Sequence, residues 1–299
     1  MGTLAPEPGK GLKDTGTFEP FMKKMVARGG PEPLQYDEFT EVVNNIELYN
    51  YRRFKEIIVS TMNENTMHGF GYIKPYGYSG DFMIIDRIYK NWVSPFENLK
   101  KWDIFYHTLH APKAVRNRKE YFLEFFSEKA RTRKELKVLI LGSGPATDVF
   151  EFFEKHPDNN IQFTVVDFDP NAIKYSKNKN KNYASKIKFI NANVFFYKYD
   201  EKYDFIWSAG LFDYFKEKHF VFMIKKYYDA LKPNGLFIIG NFSIDNPTTV
   251  FMELFSDWYL NYRSVGDLKR LASYAGVNEN KIFVNMEPLG VNLFLQLQK

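Results

Sequence analysis

An α/β fold, with a mostly parallel sheet that ends in an antiparallel hairpin and a helical region ahead of it, is what the sequence predicts. Three observations predict it. The apolar, β-branched run Lys137–Leu141 stops at Gly142-Ser143-Gly144 and gives way to the helix-compatible Thr147–Lys155, which reads as a buried strand, a tight turn and a helix start. From Glu135 onward strand-like and helix-like stretches alternate, as they do in a parallel sheet covered by helices on both faces. Before about residue 130 the apolar positions recur at helical spacing without strand alternation.

Residues 1–33 are rich in Gly, Pro and Lys and read as a flexible N-terminal tail with one amphipathic docking piece at Phe18–Val26. Phe39, Val42, Val43, Ile46, Leu48, Tyr49, Phe54, Ile57, Ile58 and Met62 keep helical spacing from Tyr36 to about Asn63, as one long or two shorter helices, and further helices are predicted over Phe82–Trp92, Phe96–Leu109 and Ala114–Arg131. Residues 34–132 therefore form a helical region, expected to act as a lid or substrate-binding layer. Inside it, Tyr72-Ile-Lys-Pro-Tyr76-Gly77-Tyr78-Ser79-Gly80-Asp81 breaks regular structure, with Asp81 placed to cap the next helix. Residues 133–299 hold the sheet, with strands predicted at Lys137–Leu141, Ile161–Asp167, Ile187–Ile190, Tyr203–Ser208, Leu236–Asn241, Lys281–Met286 and Val291–Gln298. Helices are predicted at Ala146–Lys155, Pro170–Lys179 behind an Asp169 N-cap, Glu217–Leu231, Thr249–Tyr262 and Val265–Ala275.

Cysteine is absent, which excludes disulfides, thiolate catalysis and cysteine-bound metals. The balance of 41 Lys+Arg against 36 Asp+Glu is mild, and the basic clusters at Lys113–Arg118 and Lys129–Lys137 come with interleaved glutamates and no nucleic-acid motif. They read as solvated helix faces, and nucleic acid is not an expected partner. No apolar run approaches a membrane span and residues 1–28 carry no hydrophobic signal core, so a cytoplasmic protein without stable membrane insertion is expected. With 30 Phe and 20 Tyr, many rings must simply fill core space, so a lone aromatic is weak evidence for a ligand cage.

The turn at Gly142–Gly144 lets a ligand approach the backbone closely, with the N–H groups of the next helix's first turn facing it. Thr147 stands where a dinucleotide fingerprint has its third glycine, and no Gly-Lys-Ser/Thr follows, so neither that fingerprint nor a Walker loop is complete. Asp167 ends the second strand, where a carboxylate accepts from both hydroxyls of a ribose. The implied ligand has a ribose and no pyrophosphate.

Val138-Leu-Ile-Leu-Gly-Ser-Gly-Pro145, Val165-Val-Asp167-Phe-Asp-Pro170, Asn191-Ala-Asn193-Val194, Tyr203-Asp-Phe-Ile-Trp-Ser208 and Leu231-Lys-Pro-Asn-Gly-Leu236 resemble, in order, the motifs of the class I S-adenosylmethionine-dependent methyltransferases. The resemblance implies a Rossmann-like seven-stranded domain. It also implies that Gly142, Ser143 and Gly144 pass beneath the methionine part of the cofactor, that Asp167 holds the ribose, and that Phe168 lies against adenine. Asn193 stands where the family commonly has an acid, and its amide oxygen is able to accept from the adenine amino group. Val194, Ser208, Ala209, Gly210 and Asp81 complete the expected cofactor set, with S-adenosylhomocysteine as product. A narrower similarity, carried by Pro75-Tyr-Gly-Tyr-Ser-Gly-Asp81, Ser208-Ala-Gly-Leu-Phe-Asp-Tyr214 and Met252-Glu-Leu-Phe-Ser-Asp-Trp-Tyr-Leu-Asn-Tyr-Arg263, is to a bacterial group with fungal relatives that makes 3-hydroxy fatty acid (3-hydroxypalmitate) methyl esters. It implies methyl transfer to the carboxylate of a small-molecule acid.

In-line transfer from a sulfonium requires alignment and exclusion of water. A carboxylate acceptor is already anionic and needs no base. Arg263 is expected to steer it, or to pair with Asp81, Asp213, Glu253 or Asp257, while Tyr76, Tyr78, Tyr214 and Tyr262 orient it or line the methyl site. Phe212, Phe215, Phe242, Phe251, Phe255 and Trp258 are candidates for an acyl or aryl pocket, although Phe251 and Phe255 equally suit a helix-face core. Trp258 and Tyr262 are spaced i, i+4 on the predicted helix and would support Arg263. A phenol or amine acceptor would need a base, His107 or His110, three apart on one predicted helix. No ligand acid accompanies them, so no metal is expected, and His107 stands as an additional candidate for substrate contact. A non-catalytic methyltransferase-like scaffold is the alternative of another class. Methylation of nucleic acid lacks its Asp/Asn-Pro-Pro-Tyr/Phe motif, since Ser208-Ala-Gly-Leu stands in its place. Whether the N-terminal helices form a lid or a homodimer interface is left open.

Overall fold

The computed structural model describes residues 18–132 and 134–299. The first part of the expected tail, residues 1–17, lies outside the described residues. In chain order the α-helices are α1 (Phe18–Ala27), α2 (Tyr36–Asn44), α3 (Tyr51–Ile58), α4 (Met67–Ile73), α5 (Phe82–Tyr89), α6 (Glu97–Thr108), α7 (His110–Ala130), α8 (Thr147–Lys155), α9 (Pro170–Lys179), α10 (Glu217–Tyr228), α11 (Thr249–Ser256) and α12 (Val265–Tyr274). The strands are β1 (Leu136–Leu141), β2 (Ile161–Asp167), β3 (Ile187–Asn191), β4 (Tyr203–Ser208), β5 (Leu231–Phe242), β6 (Ile282–Met286) and β7 (Asn292–Gln298). The chain divides into two compact units interleaved along the sequence. One holds the residues up to Pro75 with Val93–His107 and Thr249–Trp258; the other holds Tyr76–Trp92, Thr108–Thr248 and Tyr259–Lys299. The helical stretch read as one region over 34–132 is thus shared between both.

The larger unit is a seven-stranded sheet in the order β3-β2-β1-β4-β5-β7-β6. Strands β1 to β5 pair in parallel, and β7 runs antiparallel between β5 and β6 as the expected hairpin. Because side chains alternate across a strand, each strand feeds two cores. Val138, Ile140, Phe163, Val165, Trp207 and Ile238 pack with Phe122, Phe126 and Phe152 of α7 and α8. Leu139, Leu141, Val166, Ile206, Phe237 and Ile239 pack on the opposite face with Phe220, Ile224, Leu268 and Leu271 of α10 and α12. Lys232-Pro-Asn-Gly235, ahead of the predicted strand Leu236–Asn241, lies within β5 as an irregularity: the register to β4 slips between Tyr203↔Leu231 and Phe205↔Leu236, with Asn234 at φ +63°.

The smaller unit is helical around an aromatic cluster. Phe39 meets Trp102, Phe105 and Phe255, and Phe54 and His68 also meet Phe255. Residues 18–33 are built into this unit: Phe18, Met22 and Met25 are buried, and Gly29 and Gly30 lie against the backbone of Asn98 and Trp102, where a Cβ would come within 2.8 Å. The stretch from Tyr36 to Asn63 is broken by 3-10 turns at Leu48–Asn50 and Val59–Thr61. Helix α4 was not legible because Gly69 and Gly71 lower its propensity. It forms because Thr66 caps it, accepting from Gly69 N at 3.0 Å, and because only glycine fits beside the Asn63 backbone, where a Cβ would sit 2.3 Å from the carbonyl oxygen.

Two predicted helices end early. Helix α6 stops at Thr108 and Leu109 is extended (ψ 153°), so His107 and His110 belong to different helices and share no face. Helix α11 stops at Ser256 with Asp257 at φ +45°, so the helical i, i+4 relation between Trp258 and Tyr262 does not exist.

Candidate functional site

The glycine turn after β1 is fastened to the end of β2. Gly142 N and Ser143 N donate to the Val166 carbonyl at 2.9 and 3.2 Å, and Gly144 N donates to Asp167 Oδ2 at 2.8 Å. Gly142 and Gly144 take φ +67° and +52°, a region L side chains rarely adopt, which explains the glycines. Asp167 Oδ1 accepts from Asp169 N at 3.0 Å, so one buried carboxylate sets both the turn and the start of α9. Burial raises its pKa, against the Asp169 and Gly144 N–H groups that favour the charged form. The buried Ser143 hydroxyl has no hydrogen-bond partner. A buried polar atom left over at a turn of backbone held open by glycines fits a bound polar ligand.

Thr147, in the place of a third glycine, donates its hydroxyl to Asp86 Oδ1 at 2.5 Å, which ties α8 to α5. Asp86 also takes bonds from Tyr175, Lys90 and Lys179. Burial pushes its pKa up, but those donors together hold the carboxyl at about 2.

The first residue of α5 lies over the turn: a Cβ built on Gly144 would stand 3.9 Å from Phe82. Asp81 caps α5, its Oδ1 accepting from Met83 N and Ile84 N at 2.9 Å, and burial pushes it up to about 6 against those bonds. Oδ1 of its carboxylate thus serves the helix. Tyr76 packs its ring on Phe82 (centroids 4.4 Å apart). Tyr78, expected to touch substrate, instead meets Phe168 (5.0 Å) and donates to Asp169 Oδ2 at 3.0 Å. Phe168 is exposed, as a residue awaiting a flat ligand would be.

The other expected cofactor residues separate into ligand-facing and scaffold positions. Asn193 is exposed, and its amide oxygen accepts from Phe195 N at 2.9 Å, so one of its lone pairs is already engaged. Val194 is buried in the core on the α10 side. Ser208 is fully buried and donates to the Leu141 carbonyl at 3.1 Å, so its hydroxyl ties β4 to β1 and is not offered to a ligand. Ala209 and Gly210 line the loop after β4, half-buried.

Arg263 requires the largest correction. It is 4% exposed, and its guanidinium donates to the carbonyls of Phe212 (3.2 Å), Asn261 (3.2 Å) and Phe215 and to Asn241 Oδ1 (2.6 Å), with Phe220 under its plane. All of these are the protein's own acceptors, so Arg263 braces the loop after β4 and is not directed at a substrate carboxylate. Asp213, expected in the substrate set, is buried with Oδ1 accepting from Phe242 N at 2.7 Å, and its own carbonyl accepts from Asn261 N and Nδ2. Phe212 is core, packed on Phe215, Phe220 and Phe237. Tyr214 in the same turn is exposed, and Tyr262 is half-buried. His107 and Trp258 belong to the helical unit, where His107 meets the Tyr106 ring and Trp258 is buried, donating its backbone N–H to Met252. Phe251 and Phe255 stack face to face (4.1 Å) in that unit's core.

Burial pushes Asp213 up to about 7, against the Phe242 N–H and the charges of Arg118 and Arg263. In the unfolded chain an aspartate titrates near about 4, so the folded state holds this proton more tightly. Its contribution to stability is complete below about pH 4 and is lost as pH rises through about 7. The urea midpoint is expected to fall between about pH 5 and about pH 8, and Asp213→Asn to flatten that part of the profile; an unchanged slope in the variant would contradict it.

Arg118 escaped the sequence reading. It lies within a basic cluster, yet it shares the apolar stripe of α7 with Ala111, Ala114, Val115 and Phe122, and that spacing was the available signal. Its Nη1 donates to the Ala209 carbonyl at 2.9 Å, its Nε is buried without a partner, and a Cβ on Gly210 would come 2.8 Å from Nη1. Asp148, pushed up to about 6 by burial, feels its charge. A cation therefore lies directly on the Ala209–Gly210 loop. Among the described residues no group of three or more acidic or histidine side chains is placed to hold a metal ion, and no helix is long and apolar enough to cross a membrane.

Residues 138–235 match the family model of a methyltransferase domain. No curated protein sequence matches the chain. Among solved structures, the chain is similar to a candidate exported protein of Bordetella parapertussis, 14% identical, over 96% of this chain and 97% of that one with a TM-score of 0.68. It is similar to a candidate O-methyltransferase of Nostoc punctiforme, 17% identical, over 66% of this chain and 59% of that one (TM-score 0.52). It is also similar to the S-adenosylmethionine-dependent methyltransferase SibL, 15% identical, over 89% and 76% (TM-score 0.51). The sheet is thus the Rossmann-like methyltransferase fold, and the chain carries a methyltransferase domain.

Proposed function

We propose that the chain is an O-methyltransferase that esterifies the carboxylate of a small or fatty acid in the cytoplasm. The observation that carries the donor site is the glycine turn locked to Asp167 beside an unpartnered Ser143 hydroxyl, inside the segment that matches a methyltransferase domain. S-adenosylmethionine, when bound, supplies a methyl group activated on a sulfonium. Gly142–Gly144 and Ser143 would hold its amino-acid end, and Asp167 and Phe168 its nucleoside.

The acceptor reading rests on the sequence similarity around Tyr76–Asp81, Ser208–Tyr214 and Met252–Arg263, and on a buried cation at the loop after β4. With Arg263 committed to carbonyls, Arg118 is the guanidinium able to favour an anionic acceptor there, and the exposed Tyr214 is the hydroxyl able to orient one. A carboxylate needs no side chain to remove a proton, so positioning and exclusion of water are the chain's main tasks.

Incubation with labelled methyl donor and a mixed carboxylic-acid panel, followed by mass spectrometry, is expected to give labelled products that return free acid on mild alkaline hydrolysis. Products stable to alkali would move the assignment to a phenol or amine acceptor.

A further inference from the structure

Gly77 and Gly80 flank Tyr78 and Ser79, and both glycines are in the left-handed region, at φ +86° and +69°. A Cβ on Gly77 would meet nothing within 4 Å, so its conformation is required by the turn and not by crowding. The segment thus carries one aromatic side chain between two left-handed glycines. That side chain does not point at the loop after β4, where acceptor chemistry is expected. Its ring touches Phe168 and its hydroxyl bonds to Asp169, the residues that directly follow Asp167. Asp169 is itself fixed, since its other oxygen caps α9 through Asn171 N at 2.8 Å. Burial, together with the charges of Asp167 and Asp169, raises the pKa of the Tyr78 phenol, so it remains a neutral donor. With ring centroids 5.0 Å apart, no base fits between Tyr78 and Phe168. Tyr78 is therefore a wall on this site and not one half of a sandwich.

We infer that Tyr78 is a cofactor-positioning residue: latched to Asp169 and Phe168, it closes the cradle that Asp167 provides for the nucleoside of the methyl donor. This rests on the proposed use of S-adenosylmethionine and goes beyond it by assigning Tyr78 to the donor and not to the acceptor.

The test uses the full chain with S-adenosylhomocysteine and with 5′-methylthioadenosine, which has the nucleoside but not the amino acid. Tyr78→Ala is expected to weaken both by about tenfold or more, to speed their release, and to leave the acceptor KM at saturating donor unchanged. Tyr78→Phe, which keeps the ring and loses the Asp169 bond, is expected to weaken both by a smaller factor. A folded Tyr78→Ala with wild-type affinity for both ligands would overturn the inference, as would weakened binding of S-adenosylhomocysteine alone, or a raised acceptor KM with donor affinity unchanged. Failure of the wild-type chain to bind either ligand would instead remove the functional reading on which it stands.

Discussion

Replacing Asp167 with alanine is expected to weaken S-adenosylhomocysteine binding by about 100-fold or more in calorimetric titration. Hydrogen bonds to a charged group contribute about 1.5–3 kcal/mol each, and about 1.4 kcal/mol is a factor of ten, so losing two bonds from a ribose reaches that range. The same carboxylate also accepts from Gly144 N and Asp169 N, so the variant loses the clamp that holds the glycine turn against β2. The two effects are separable. Asp167→Asn keeps an oxygen able to accept one of these backbone bonds but removes the charge, and it should retain most of the wild-type melting temperature while still binding weakly. Wild-type affinity in a folded Asp167→Ala protein would remove Asp167 from the ligand site altogether.

The sheet and the donor turn were legible because their causes are local. Lys137–Leu141 and Ile161–Asp167 are short apolar runs, Gly142 and Gly144 supply the left-handed turn, and Asp169-Pro170 caps and starts a helix, so each element is written within about ten residues. The end of α11 was not legible. Met252–Arg263 contains neither Gly nor Pro, and its apolar residues keep a helical rhythm past Ser256; the stop at Asp257 is coupled to bonds from Tyr51 and Lys74, far away in sequence. Side-chain destinations were the least legible. Thr147 departs from a glycine pattern, and only the fold shows that Asp86 takes its hydroxyl. Tyr78 and Arg263 were both read as acceptor residues from their chemistry, yet the first reaches Asp169 and the second reaches backbone oxygens brought together by β5 and the turn after β4.

That last difference carries the second large effect. Arg263→Ala is expected to lower unfolding stability by about 3–5 kcal/mol, the range seen when one member of a buried charged network is deleted. The side chain now donates to three carbonyls and to Asn241 Oδ1; its removal takes the donor from the Phe215 carbonyl and Asn241 Oδ1, while the Phe212 and Asn261 carbonyls keep bonds from Phe215 N and Asn241 Nδ2. It also removes a cation beside Asp213, which burial already pushes up to about 7, and the aspartate in the variant should take up its proton at still higher pH. Lysine is a poor replacement, because one ammonium cannot span acceptors that a planar guanidinium meets along different edges. A substrate-steering arginine would give the opposite pattern: an unaltered denaturation midpoint with a sharply raised acceptor KM. Urea unfolding followed alongside S-adenosylhomocysteine affinity decides between them. The scaffold role requires the midpoint to fall while donor affinity, measured at low temperature where the variant remains folded, stays within a few-fold of wild type.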